Sequence, residues 1–144
     1  MFKKILIPTD GSNLATEAAM RSVHLAKTCE ASVMILYVQG LYPFVSVVEV
    51  VPVGFDDYMA AGRAEGTRAI ERIAAAAKEQ GVSSEHLIVE SGQIADAIVE
   101  AAGTAGADLI AMGSHGRSGM ARLMLGSVAS KVLALSSTPV LIFK

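Results

Sequence analysis

The stretch MGSHGRSGMARLMLGS, from Met112 to Ser127, combines four glycines with two side chains that could do chemistry, His115 and Arg117. An apolar run, ADLIAMG, leads straight into it. Glycine costs backbone entropy, and it is used where the chain must take a positive φ or where another group must come close to the main chain. Phosphate is the natural candidate for that group. Free N–H groups at a helix N-terminus, with the helix dipole behind them, attract an anion. Gly126 and Ser127 open an apolar helical stretch, so their N–H groups are placed to meet one, and the Ser127 hydroxyl adds a donor. Gly113 and Gly116 would let the preceding loop fold tightly over the same phosphates.

Other sets of reactive residues do not form. The sequence has no GxxxxGK[ST] P-loop and no GxGxxG dinucleotide fingerprint. No His/Cys cluster has metal-ligand spacing, and no paired carboxylates or nucleophile–base couple stand out. His115 is expected to face solvent rather than to catalyse. His24 and His86 read as surface or helix-flank residues, and Met34, Met112, Met120 and Met124 as core or interface filling. Cys29 stands alone and packs as a small hydrophobe, so a reduced, intracellular setting is expected.

The elements that must position the glycine loop follow from periodicity. Short β-rich runs (KKILIPTD, SVMILYV, HLIVE, ADLIAMG, VLIFK) alternate with alanine-rich helical stretches. The helices are NLATEAAMRSVHLAKTC, capped by Ser12 or Asn13, then DYMAAGRAEGTRAIERIAAAAKEQG, with Gly81 at its C-terminal end, then QIADAIVEAAGTAG and SVASKVLALSS. The order βαβαβαβαβ predicts a parallel sheet with helices on both faces. Five doubly wound strands take the order 2-1-3-4-5 or 3-2-1-4-5. Ligands bind where the strand order reverses, at the carboxyl ends of the strands. The two unusual strand-end loops, PTDGS and GSHGRSG, follow the first and fourth strands, and 3-2-1-4-5 makes those strands neighbours. The expected fold is therefore a Rossmann-like α/β sheet of that order, as one domain over residues 1–144. Segment 40–57, with its run FVSVVEVVPV, is too apolar for a free loop and is expected to act as a lid or to join a subunit interface.

Bulk properties narrow the class. Hydrophobic residues make up 52% of the 144 and charged residues 18%, below the usual share of about 25%. A disordered tail is excluded and a heavily covered core is expected. The net charge of −2 gives no global basic field to draw nucleic acid. No apolar stretch approaches the roughly 18 residues of a membrane helix, and Pro8, Thr9 and Asp10 cut the first apolar run too short for a signal peptide. A cytoplasmic protein is expected.

The spacing Gly113-x2-Gly116-x9-Gly126-Ser127, on this βα framework, resembles the G-x2-G-x9-G-[ST] motif of nucleotide-binding universal stress proteins. ILIPTDGS, LYV, GSVASKVL and the closing PVLIF sit as they do in that family. The resemblance implies ATP as ligand. It places Pro8, Thr9 and Asp10 beside the adenosine, with Asp10 reaching ribose or a phosphate-bound Mg²⁺. It places Val38 near the adenine and Met112 against the nucleoside, and it sets Gly113, Gly116, Gly126, Ser127 and Val128 around the phosphates. Arg117 joins this set, though the resemblance supplies no role for it. Asp10 alone would read as a cap of the first helix; with the glycines downstream it reads as a ligand contact. The resemblance also implies a homodimer through the last strand, with VLIFK covering its own edge. The expected function is a nucleotide-dependent stress-response switch with slow or absent ATP turnover and unidentified protein partners. A weak ATPase or self-phosphorylation at Ser127 is the enzymatic variant. The alternative is a regulatory or structural dimer of the same fold without nucleotide. A receiver domain is disfavoured because VESG follows the third strand where an acceptor aspartate is needed. A flavodoxin-like protein is disfavoured because TDGSN suits a flavin phosphate only in part.

Overall fold

The computed structural model describes residues 1–41, 53–117 and 124–144. Along them run β1 (Lys4–Thr9), α1 (Asn13–Cys29), β2 (Ser32–Gln39), α2 (Phe55–Glu79), β3 (Ser84–Glu90), α3 (Ile94–Ala105), β4 (Leu109–Gly113), α4 (Ser127–Leu135) and β5 (Val140–Phe143). All strand pairs are parallel, in the order β3-β2-β1-β4-β5 expected from the sequence. The bulk of segment 40–57, residues 42–52, lies outside the described residues, as does Met120; the segment's last residues, from Phe55, already belong to α2.

The continuous apolar runs of β1, β2 and β4 reflect cover on both faces. Side chains alternate across the sheet, and the alternation sorts them into two cores. Ile5, Ile7, Val33, Ile35 and Tyr37 pack with α1 and α2, through Val23 and Ile73 among others. Leu6, Leu36, Ile110 and Met112 pack with α3 and α4, through Ile98 and Val132. The outer strand β3 is exposed from Ser84 to Leu87, as its edge position dictates. Of the two candidate caps, Ser12 is the one used: its side chain accepts from the Ala15 N–H at 3.2 Å. Beyond α2, Gly81 takes φ +73°, a left-handed exit open to glycine.

β1 lies between β2 and β4 but pairs with them unequally. Against β2 the register runs from Lys4↔Ser32 to Thr9↔Tyr37. Against β4 it is limited to Ile5↔Leu109 and Leu6↔Ile110. The amino ends are fastened by Asp108, whose carboxylate accepts from the Lys3 and Lys4 N–H groups at 2.8 and 3.1 Å. Beyond Leu6 no register pair joins the two strands. Main-chain groups alternate in direction along β1: the Lys3 carbonyl accepts from Ser32 next to β2, and the Lys4 carbonyl from Asp108 next to β4. By that alternation Pro8 turns its nitrogen toward β4. Proline has no hydrogen there, and an interior strand tolerates it only where the ladder does not need the donor.

Candidate functional site

The carboxyl ends of β1 and β4 border a cleft of about 380 Å³ at that edge of the sheet. Pro8, Thr9, Asp10, Val38, Met112, Gly113, Gly116, Arg117, Gly126, Ser127 and Val128 all line it. The wall is completed by Ala15, Leu36, Tyr37, Gly40, Ile94, Ile98, Ser114, His115 and Ala129, which the sequence reading did not assign to a site. Ile94 and Ile98 were within reach of that reading. In a parallel sheet each helix following a strand starts at the carboxyl edge, and α3 shares its face of the sheet with α4, so its first turns are placed to reach the cleft. No such signal marks Tyr37, which belongs by parity to the opposite core.

Asp10 is the knot of the site. Its Oδ1 accepts from the Ser12 N–H at 2.9 Å, and its Oδ2 accepts from the Arg117 N–H, also at 2.9 Å. One carboxylate thus joins the β1–α1 turn to the loop after β4. The Arg117 side chain returns the contact, donating from Nε and Nη2 to the Asp10 carbonyl at 3.2 and 2.9 Å. The same Nη2 donates to the Glu65 carboxylate on α2. Partial burial works against the guanidinium's charge, but the Glu65 hydrogen bond and charge outweigh it and hold the proton more firmly than usual. Burial, and then the Glu65 charge, push the neighbouring Tyr37 hydroxyl above its ordinary value.

None of the motif glycines in the loop has a positive φ. What comes close to the main chain at two of them is the protein itself. A Cβ on Gly116 would lie 2.5 Å from Asp10 Oδ2, and one on Gly126 would lie 2.8 Å from the Ser114 carbonyl oxygen. Gly113 differs: a Cβ there would meet only ordinary contacts, at 3.5 Å or more. The Gly126 N–H is already spent on the Ser114 carbonyl at 2.8 Å. As N-cap, Gly126 has no side chain to offer α4, so the N–H groups of Ser127, Val128 and Ala129 have no partner among the described residues.

His115 departs from expectation. It does not face solvent; it is 9% exposed, because the loop turns inward against the start of α4. Its Nδ1 shares a hydrogen bond with Ser114 Oγ at 2.8 Å, and its Nε2 has no partner among the described residues. Met124 is exposed in the loop before α4 rather than filling a core. His24 and His86 are exposed, and Cys29 is half-buried, as read from the sequence. Among the described residues no group of three or more His, Cys, Asp and Glu could hold a metal ion, and no helix is long and apolar enough to cross a membrane.

The phased glycines, the reversal of strand order and the cleft that joins them have a counterpart in known proteins. The profile of the universal stress protein family matches residues 1–144. The chain belongs to that family. Universal stress protein MJ0531 of Methanocaldococcus jannaschii is 38% identical over 144 residues, an alignment spanning 100% of this chain and 83% of that protein. The solved structure of universal stress protein MJ0577 of the same organism is 33% identical, with a TM-score of 0.84 over 100% of this chain and 96% of that one. A universal stress protein solved in complex with cAMP is 27% identical, with a TM-score of 0.74 over 99% of this chain and 97% of that one.

Proposed function

We propose that this universal stress protein binds ATP in the cleft between β1, β2 and β4, and serves as a nucleotide-dependent switch in a cytoplasmic stress response. The observation that carries the reading is the convergence of one cleft, at the reversal of strand order, with unpartnered N–H groups at the start of α4. The lining divides by chemistry as a nucleotide does. Pro8, Leu36, Val38, Ile98 and Met112 offer an apolar wall to the base and sugar. Ser127, Val128 and Ala129 offer amides to the phosphates, with the Ser127 hydroxyl beside them. The cAMP complex of a related protein supports an adenine nucleotide as the class.

A single nearby carboxylate suits Mg²⁺ held mainly by phosphate and water. Asp10 would be its one protein contact, through the lone pairs left after Ser12 and Arg117 are served. Phosphoryl transfer would also need an in-line nucleophile and stabilised charge, and the reading here is binding with slow or absent turnover. The domain would act as a homodimer through β5, whose outer edge has no strand beside it among the described residues and whose residues are only half-buried. Titrating the purified protein with ATP, with and without Mg²⁺, tests the reading, together with native mass spectrometry for co-purified nucleotide and for the dimer. Saturable binding at or below millimolar ATP is expected. An empty protein that ignores millimolar ATP would leave a regulatory dimer without nucleotide.

A further inference from the structure

We infer that Glu65, on α2, competes with phosphate for Arg117: it holds the guanidinium at the lip of the cleft, and a bound phosphate chain takes that guanidinium from it. The inference rests on the cleft's being a nucleotide site. Arg117 is attached in two separable ways. Its main-chain N–H is fixed to Asp10 Oδ2 whatever the side chain does. Its guanidinium lies back over the end of β1, between the Asp10 carbonyl and the Glu65 carboxylate. Arg117 lines the cleft; Glu65 does not, so Glu65 acts through its partner rather than on the ligand.

The exchange is easy in one direction. The side chains of Arg117 and Glu65 are 52% and 42% exposed, and a pair so open to water shifts an equilibrium by a factor of about five at most. A phosphate group meets a guanidinium with two parallel, charge-assisted hydrogen bonds, a stronger arrangement than one exposed carboxylate contact. In the held state the polar end of the cleft offers a phosphate neutral amides and the negative Asp10. Moving the guanidinium adds a positive charge where the ligand is most negative. It also undoes the side-chain tie between the β4–α4 loop and α2, so that phosphate occupancy is transmitted to that helix.

The test is the affinity for ATP and for adenosine, by calorimetry and competition, in the wild type, Glu65→Gln, Arg117→Met and the double variant. Glu65→Gln removes the carboxylate's share of the hold, leaving the two bonds to the Asp10 carbonyl, and should tighten ATP up to about three-fold while leaving adenosine unchanged. Arg117→Met should weaken ATP, and Glu65→Gln should have no further effect in that background. Equal changes for ATP and adenosine, or a Glu65 effect that persists without Arg117, would overturn the inference while the nucleotide reading stands. A wild type that binds neither ligand would overturn both.

Discussion

The substitution of alanine for Gly66 isolates the contact that seats α2 against the site. Gly66 is buried in α2, and a Cβ there would lie 2.5 Å from Tyr37 Cδ1 and 2.9 Å from both Cε1 and Cγ. The ring cannot easily step aside, because Tyr37 is only 6% exposed. Overpacking of this kind costs about 1–3 kcal/mol. Against it stands the gain of replacing glycine within a helix, about 1 kcal/mol. The balance is a loss of about 1 kcal/mol, or a fall in Tm of about 3 °C for a chain of this size. Gly103 in α3 is the internal control, since a Cβ there meets nothing within 4 Å. Gly103→Ala should gain about 0.5–1 kcal/mol. The same chemical change is thus expected to have opposite signs in two helices, with a gap of about 2 kcal/mol by urea denaturation. Because Tyr37 also lines the cleft, Gly66→Ala should weaken ATP binding and Gly103→Ala should not. Equal stabilities for the two variants would refute the packing argument.

Gly126→Ala places a methyl group against the Ser114 carbonyl oxygen, a backbone atom that cannot move alone, so it should open the loop. It should lower stability by about 1–3 kcal/mol and abolish ATP binding, with the helical circular dichroism retained. The raised Tyr37 hydroxyl gives a pH dependence of defined sign: the folded state keeps the proton beyond the ordinary value of 10.0. The corresponding stability is fully present below pH 10.0 and is lost as pH rises through the folded-state value. Denaturation midpoints across this range should fall, and Tyr37→Phe should make the curve shallower; an unchanged slope in that variant would assign the effect elsewhere.

Periodicity located every described element, because strands buried on both faces and helices with one apolar side leave different signatures. ADLIAMG, SVMILYV and the alanine-spaced α1 are each the length of their element to within a few residues. The strand order was legible only indirectly, through the two odd loops that had to be neighbours. The cleft wall was legible where glycine spacing or strand ends mark it, and hidden where tertiary packing decides it. Tyr37 reaches it from a strand position facing the other core. His115 is drawn inside by the turn against Gly126, which no local pattern encodes. Asp10 alone would read as a helix cap; Ser12, one of the two caps the sequence offers, serves α1, and Asp10 binds the main chain of Ser12 and of Arg117, a partner 107 residues distant.

Pro8 leaves one place in the sheet without a donor. The sheet resembles a zipper with one tooth filed off: an imino acid in the middle strand has no amide hydrogen to offer β4, two residues past Leu6↔Ile110, where the register between the strands ends. The missing donor is an intrinsic property of β1, the same with or without a guest, and restoring it would require a change in the strand itself rather than in the loops that decorate its rim.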